Sequence, residues 1–303
     1  MLSLASLSLT LRFGEAELPG WLGSAMRGGF GQHLRRIVCY RPLHECESCG
    51  QAAGECLYYE TFERPYSKRG YAPPPRPIVL IPPFFGRRVT FRKEGRMEVG
   101  LLLFGRFVRN FPHVLLALQQ FGFHGIGERR YFGKNRFEVE RATCKFSNRV
   151  VFDGRAIHPD RIRTLDVAQI AKVRVSRFRV HFRTPIELPL GFPPSPEHLL
   201  GLIRQRLLLL VNEYGTGEEV PGFSCRGSVI PREGHRHRLV GYSQRSGRRE
   251  FWNCWTGIAD YDFEELDENG RWLLGVGRIL GAGAKSSFGM GFFDLIPRRA
   301  VVR

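Results

Sequence analysis

The sequence predicts an α+β protein built from two similar halves, and three observations support that fold class. In some segments apolar residues alternate with polar ones, and in others they recur every third or fourth position, as in strands and helices. These segments follow one another in the same order twice along the chain. The 303 residues are enough for two ordinary domains, and 43% apolar and 25% charged residues are typical of a globular rather than a disordered protein.

The first half begins with a strand and a helix. Alternation predicts a strand over 7–13, and a helical apolar stripe predicts a helix over 19–36. Glycine is costly inside a helix, so the glycines here are expected to allow close approach of another backbone. A second helix is predicted over 111–121 with Asn110 as its N-cap, and a strand over 136–140. The glycines of the first helix are Gly28, Gly29 and Gly31.

The second half repeats this pattern. A strand is predicted over 172–183, where a change in the phase of alternation indicates a bulge near Ser176. Ser195 and Pro196 are typical of a helix start. A basic hairpin over 223–255 follows, then an acidic stretch, a final helix and a glycine-rich loop. Each half therefore follows the β-α-β-β-α-β plan of ferredoxin-like domains.

The predicted organisation is thus two tandem ferredoxin-like domains, 1–165 and 166–303. The chain carries 40 arginines and six lysines, and its formal net charge is +17. Because the arginine fork matches phosphate and stacks on bases, this excess indicates a polyanionic partner, most simply nucleic acid. A genome rich in G and C would explain arginine in place of lysine, but it would not explain the net charge.

No segment is long and apolar enough to cross a membrane. The longest apolar run covers only 207–211, and the first ten residues lack the basic start of an export signal. We therefore expect a cytoplasmic protein in which the seven cysteines are reduced thiols.

Four of the cysteines are closely spaced, and their pattern predicts a structural metal site. Cys39, Cys46, Cys49 and Cys56 follow the spacing Cys-x6-Cys-x2-Cys-x6-Cys. Four thiolates favour zinc, with an iron–sulfur cluster as an alternative, and His44 could replace one of them. Two disulfides or four unrelated thiols are the simpler alternatives. The site would form part of a Cys-rich, zinc-binding insertion in the first domain, with no open position for catalysis.

A glycine-rich loop near the C-terminus is a candidate phosphate-binding segment. Two Gly-x-Gly pairs flank the sequence Lys285-Ser286-Ser287. Glycines let the backbone curl so that several N–H groups face one anion. An ATPase phosphate loop would require glycine immediately before the lysine, whereas Ala284 stands there. The glycine pairs are Gly281 with Gly283 and Gly289 with Gly291.

These segments resemble the repeat-associated mysterious protein (RAMP) superfamily, and in particular its CRISPR precursor-RNA processing endoribonucleases. The glycine-rich loop resembles the superfamily signature, and 177–188 resembles the strand that opens the second domain. Segments 242–249 and 255–257 resemble the family's basic hairpin, and 26–31 resembles part of its first half. The resemblance implies two ferredoxin-like domains that bind a CRISPR repeat hairpin. It also implies metal-independent cleavage by the 2′-OH, leaving a 2′,3′-cyclic phosphate and a 5′-hydroxyl.

The resemblance also suggests catalytic residues, because members of this family commonly place a histidine in or near the first helix. His33 is the corresponding residue here, and Lys285 is the predicted electrostatic stabiliser. His33 also falls on the apolar stripe of its helix, so a core histidine is the alternative. His235 and His237 of the basic hairpin are the next choices, followed by His181. The remaining histidines have no argument beyond composition.

The RNA-binding residues are predicted from arginine clusters and from the glycine-rich loop. Tyr242 or Trp252 could stack on a base, although buried aromatics are equally consistent with the sequence. A solvated charged face is the alternative for the arginines. The predicted RNA-binding residues are Arg27, Arg179, Arg183, Arg245, Arg248, Arg249, Gly281, Gly283, Lys285, Ser286, Gly289 and Gly291.

Two other functions remain open from the sequence. A non-catalytic RAMP subunit that binds guide RNA within a larger CRISPR complex would have the same charge and the same loop. A zinc-stabilised DNA-binding regulator would also be basic and rich in cysteine, although no helix concentrates base-reading side chains as major-groove readers do.

Overall fold

The structure is a computed structural model that describes residues 1–41, 46, 49, 56–70, 73–92, 94–127, 133–243 and 248–298, without the side chains of residues 242, 243 and 248. The chain divides into two compact units. The first consists of residues 2–165 with 212–215, and the second of residue 1 with 166–211 and 216–303. Each unit is a mixed α/β fold around an antiparallel sheet.

The first unit contains a five-stranded path of sheet with the order β3-β5-β1-β6-β7, and β2 pairs separately with β4. In chain order, its main elements run β1-α1-β3-β5-α2-β6, which is the β-α-β-β-α-β plan predicted from the sequence. A short π-helix covers Tyr59–Glu63. The elements are β1 Ser3–Phe13, β2 Ala16–Leu18, α1 Gly23–Val38, β3 Ile78–Ile81, β4 Val89–Phe91, β5 Gly95–Phe104, α2 Phe111–His124, β6 Phe137–Cys144 and β7 Val150–Phe152.

The core of the first unit holds the alternating apolar residues of β1 and the apolar stripes of α1 and α2. Two of the α1 glycines allow aromatic rings to approach the helix closely. A Cβ on Gly29 would lie 2.1 Å from the Phe121 ring, and one on Gly31 would lie 2.8 Å from the Phe62 ring. The neighbours are side chains rather than the backbone that the sequence led us to expect. A Cβ on Gly28 would meet nothing within 4 Å.

The second unit repeats the plan with the chain order β9-α3-β10-β11-α4-β12 and the sheet order β10-β11-β9-β12. Both units thus place the first strand of the motif next to the third and fourth, as ferredoxin-like domains do. The two-residue strand β8, Leu165–Asp166, lies where the chain passes from the first unit to the second. The elements are β9 Arg177–Ile186, α3 Pro196–Tyr214, β10 Cys225–Ser243, β11 Arg248–Leu266, α4 Glu268–Leu280 and β12 Phe293–Pro297.

One face of this second sheet is apolar and buried, and the other carries charged side chains. Along β9, Phe178, Val180 and Phe182 are buried. Arg177 and Arg183 on either side of them and His181 between them are exposed. Strand β11 alternates in the same way. The buried hydroxyl of Tyr261 donates to the Pro194 carbonyl at 2.8 Å. The outer face of the sheet therefore presents its charged side chains to solvent.

The predicted limits of the strands in the second unit are wrong in several places. Strand β9 begins at Arg177, so Val173 and Val175 lie outside it and no bulge near Ser176 is needed to explain their phase. The register shift between β11 and β9 falls instead between Trp255 and Gly257. The acidic stretch over 260–268 belongs to β11 as far as Leu266. Asp260 and Asp262 alternate with buried aromatic residues and lie opposite Arg179 and Arg177 of β9.

Of the two predicted N-cap residues, one is confirmed and the other is wrong. The Ser195 hydroxyl accepts a hydrogen bond from the N–H of His198 at 3.1 Å, which confirms it as the N-cap of α3. Asn110 makes no side-chain capping bond to α2. Within the described part of the chain, no helix combines the length and the apolar character needed to cross a membrane.

Candidate functional site

Two histidines meet in the first unit, one from each of its α-helices. His33 of α1 is only 3% exposed, and its Nε2 lies 3.2 Å from Nδ1 of the exposed His124 at the end of α2. The centres of the two rings are 4.8 Å apart. The ring of His33 also stacks on Phe121 at 5.6 Å, on the same helix as His124. The close approach of the Phe121 ring to Gly29 of α1 thus brings the two histidines together.

The backbone of each helix determines which nitrogen of its histidine carries the proton. Nδ1 of His33 lies 2.8 Å from the Gly29 carbonyl, and Nδ1 of His124 lies 2.8 Å from the Gln120 carbonyl. A carbonyl only accepts, so each Nδ1 must be the N–H donor. In the neutral pair, Nε2 of both rings then carries the lone pair. The single Nδ1–H of His124 is therefore shared between the Gln120 carbonyl at 2.8 Å and Nε2 of His33 at 3.2 Å. Among the described residues, no hydrogen bond occupies Nε2 of the exposed His124.

The glycine-rich loop lies in the second unit and depends on left-handed backbone. The four glycines of its two pairs have φ between +74° and +80°. A Cβ on Gly291 would lie 1.9 Å from the carbonyl oxygen of Ala282, so this position accepts only glycine. The N–H of Ala282 donates to the Gly291 carbonyl at 2.8 Å and closes the loop. Within the described residues, no hydrogen bond occupies the N–H groups of Gly283 and Lys285.

Arg206 of α3 supports this loop from beneath, and the sequence analysis missed it. Its side chain is buried, and Nη1 donates to the carbonyls of Ala282 and Met290 at 3.3 Å each. The guanidinium also lies 4.7 Å from the centre of the Phe292 ring. Burial lowers the pKa of Arg206 to about 9, which leaves it protonated at neutral pH. The only sign of this role in the sequence is that Arg206 falls on the apolar stripe of α3.

The outer face of the second sheet holds a cluster of ion pairs. Asp260 of β11, whose side chain is 2% exposed, contacts Arg179 at 2.8 Å, Arg232 at 2.6 Å and Arg298 at 3.0 Å. These arginines, Arg179 first, lower the pKa of Asp260 to about 2. Arg183 pairs instead with Asp294 at 2.8 Å. Both arginines predicted on β9 therefore bind carboxylates on neighbouring strands.

Comparison with known proteins covers both units. Residues 2–163 match the N-terminal domain of the AF_1859 family, and residues 178–295 match its C-terminal domain. A protein of Archaeoglobus fulgidus that is described as uncharacterized is 36% identical over 297 residues, which are 97% of this chain and 98% of the relative. The chain belongs to the AF_1859 family.

Solved structures relate the fold of this chain to that of Cas6. A Cas6 product complex superposes with a TM-score of 0.56 at 17% identity, covering 97% of this chain and 100% of the other. Thermus thermophilus Cas6 superposes with a TM-score of 0.51 at 15% identity, covering 98% and 99% of the two chains. This chain therefore has the tandem ferredoxin-like fold of Cas6, which confirms, at the level of fold, the resemblance that the sequence suggested.

The other histidines that were predicted as catalytic candidates lie in the second unit of this chain. Nε2 of His235 contacts the Glu233 carboxylate, and Nε2 of His237 contacts the Thr256 hydroxyl, each at 2.7 Å. Burial lowers the pKa of His237. His181 is exposed on the outer face of the sheet. Among these candidates, only His33 contacts a histidine from another helix.

Lys285 is the predicted electrostatic residue, and here it lies against the hairpin formed by β10 and β11. Its Nζ is 4.7 Å from the Trp252 ring centre and 3.9 Å from the Glu187 carboxylate. Trp252 is only 4% exposed and also contacts Phe288, so it is not available to stack on a base. Its neighbour Phe251 is 55% exposed. Of the two readings that the sequence left open for Trp252, the structure therefore supports the buried aromatic residue.

The remaining predicted RNA-binding arginines fall into different surroundings. Arg249 is exposed on β11, whereas Arg245 and the side chain of Arg248 lie outside the described residues. Arg27 of α1 is half-buried, with its guanidinium 4.6 Å from the Phe62 ring centre. Burial and the neighbouring Arg76 lower the pKa of Arg27 to about 9. The side chain of Tyr242 is also outside the described part.

The four cysteines of the predicted zinc site are all described, although most of the segment around them, including His44, is not. The N–H of Cys49 donates to the Cys46 carbonyl at 3.3 Å, forming a turn. Burial, followed by Glu63, raises the pKa of Cys46. Among the described residues, no three potential ligands are placed to hold a metal ion. The described geometry thus does not supply a zinc centre, and metal analysis of the purified protein tests the prediction.

Proposed function

We propose that this protein binds CRISPR repeat RNA and cleaves it by attack of a 2′-OH, without a metal ion in the chemical step. The observation that carries the proposal is the contact between His33 and His124, in a chain that shares its fold over almost its whole length with Cas6. One of the solved structures with this fold is a Cas6 product complex. The net charge of +17 adds a physical reason for a polyanionic substrate.

In the proposed reaction, Nε2 of the exposed His124 accepts the proton of the 2′-OH. The oxygen attacks the adjacent phosphorus, the 5′-oxygen departs and takes a proton from water, and a 2′,3′-cyclic phosphate remains. The buried His33 is proposed to act with His124, because its Nε2 lies 3.2 Å from Nδ1 of His124 and shares that N–H with the Gln120 carbonyl. A charged imidazole donates a stronger hydrogen bond than a neutral one, so this contact stabilises His124 when it carries the proton. Lys285 and the glycine-rich loop are proposed to bind RNA phosphate.

Single-turnover cleavage of the host's CRISPR repeat transcript in EDTA tests this proposal. We expect His124→Ala to slow cleavage by about 10²- to 10⁴-fold, the usual contribution of a general base, and His33→Ala to slow it by at least about tenfold. His113→Ala is the matched control, because His113 is also exposed on α2 but lies in its first turn, at the other end of the helix from His124. A repeat with 2′-deoxyribose at the scissile position should bind but remain intact.

The same assay distinguishes the main alternative. The burial of His33 is the observation that favours a non-catalytic RAMP subunit, because a buried histidine can simply support helix packing. Tight binding of the repeat transcript by the wild-type protein without any cleavage would favour that function. Wild-type cleavage that His33→Ala and His124→Ala leave unchanged would assign the chemistry to other residues.

A further inference from the structure

The cluster around Asp260 contains more positive charge than its carboxylate can neutralise. Three guanidinium groups converge on one carboxylate, and within the described part of the chain no second acid pairs with Arg232 or Arg298. The cluster therefore has a net charge of about +2 at neutral pH. Arginines this close repel one another, so their convergence favours a bound anion.

Neighbouring arginines on the same face show that this excess is local. Arg177 pairs with Asp262 and Arg183 pairs with Asp294, each at 2.8 Å and each as one arginine with one acid. Arg179 lies between them on β9, and its partner, Asp260, also pairs with two other arginines. If the acids served only to neutralise the arginines of this face, we would expect Arg179 to have an acid of its own, as Arg177 and Arg183 do.

The donors of the cluster remain partly open to solvent. The side chains of Arg179, Arg232 and Arg298 are 40%, 45% and 40% exposed, while Asp260 is buried beneath them. A guanidinium has five N–H donors, so one carboxylate uses only a minority of the fifteen or so that are present. The remaining donors suit the oxygens of a phosphate, which accepts bidentate arginine contacts.

Two exposed isoleucines flank the cluster across the sheet. Ile230 of β10 pairs with Asp260, and Ile296 of β12 pairs with Arg179, so the row runs Ile230, Asp260, Arg179, Ile296 from one edge to the other. The isoleucines are 52% and 48% exposed. Apolar contacts on both sides of an anion site match a nucleotide, whose sugar and base adjoin its phosphate, better than a small inorganic ion.

We propose that Arg179, Arg232 and Arg298, held in place by Asp260, form a binding site for a phosphodiester group of single-stranded RNA on the outer face of the second sheet. This inference rests on the proposed RNA-binding function and adds to it a site outside the glycine-rich loop and the histidine pair. Asp260 is a positioning residue in this site, and the three arginines are the groups that contact the phosphate.

The test measures binding of a labelled single-stranded RNA by fluorescence anisotropy over a range of KCl concentrations. We expect Arg232→Gln and Arg298→Gln each to weaken binding by about tenfold at moderate salt, as loss of a charged hydrogen bond would. Each should also lower the slope of log affinity against log salt by about 0.7, the value for one phosphate contact of a single strand. Circular dichroism and thermal unfolding establish that the variants are folded.

Arg177→Gln is the matched control. It removes the same charge from the same face, from a balanced pair one alternation along β9. Equal effects of Arg177→Gln, Arg232→Gln and Arg298→Gln on affinity and slope would overturn the site and leave the proposed function intact. Failure of the wild-type protein to bind any RNA would overturn both. Arg298 lies beyond the end of β12, so its substitution is the variant least able to disturb folding.

Discussion

Two buried polar side chains, His33 in the first unit and Asp260 on the outer face of the second sheet, both have hydrogen-bonding or charged partners. His33 satisfies its N–H with a carbonyl of its own helix, and Asp260 is held by three arginines. The first arrangement makes Nδ1 of His33 the donor and fixes the orientation of the ring, whereas the second keeps the carboxylate ionised near neutral pH. These contacts hold each side chain in the orientation that its proposed role requires.

The depressed pKa of Asp260 predicts how stability depends on pH. A carboxylate whose pKa is lowered by folding stabilises the protein above its unfolded pKa, and this contribution is lost as the pH falls through the folded value. For Asp260 the folded value is about 2, so the loss should occur between about pH 4 and pH 2. We expect Asp260→Asn to lower the free energy of unfolding by about 2 kcal/mol at pH 7, since the three arginines lose the negative charge of their acceptor.

Urea unfolding of the wild type and of Asp260→Asn at a series of pH values measures this difference. The gap between the two proteins should be constant above about pH 5 and should narrow as the pH falls. A gap that stays the same down to the lowest accessible pH would contradict the assigned cause.

At the scale of elements, the packing of α1 against α2 depends on which helical residue is glycine. Gly29 faces the ring of Phe121, whereas the adjacent Gly28 faces open space. The same contact brings His33 and His124 within 3.2 Å of each other. A small side chain at one position of α1 therefore serves both the core and the candidate active site.

Two neighbouring substitutions should have opposite effects on stability. Gly29→Ala places a Cβ 2.1 Å from the Phe121 ring and should lower the free energy of unfolding by about 2 kcal/mol through overpacking. Gly28→Ala meets nothing within 4 Å and should raise it by up to about 1 kcal/mol, because alanine is the better helix former. Chemical unfolding of both variants provides the comparison, and equal destabilisation by the two would show that the ring contact is not the cause.

At the scale of the whole molecule, the arginine excess is the feature that links the sequence to a nucleic-acid partner. Ion pairs neutralise individual arginines, as on the outer face of the second sheet, but basic residues outnumber acidic ones and the net charge is +17. Nucleic-acid binding driven by such a charge is strongly salt-dependent because counterions are released.

We expect affinity for a repeat hairpin RNA to fall at least about 100-fold between about 50 and about 200 mM salt. At any one salt concentration the hairpin should bind more tightly than a DNA duplex of the same sequence, because the 2′-OH and the A-form shape distinguish the two. Anisotropy titrations with both nucleic acids measure this preference. Comparable affinities would favour the DNA-binding regulator.

The sequence by itself determined the β-α-β-β-α-β order, the charge and the need for glycine in the loop. Apolar periodicity and composition are properties of local segments or of sums over the chain, so they survive without coordinates. The loop glycines also follow from local backbone conformation, as the left-handed φ of Gly291 illustrates.

Only the tertiary structure decided which distant side chains meet. His33 and His124 are 91 residues apart, and the ion pair of Arg179 with Asp260 spans 81 residues. These contacts depend on strand register and on how closely two helices pack, and a one-residue shift in register would turn Asp260 to the other face of its sheet. Periodicity indicates that a residue faces the core or the solvent, but it contains no information about the partner that it meets there.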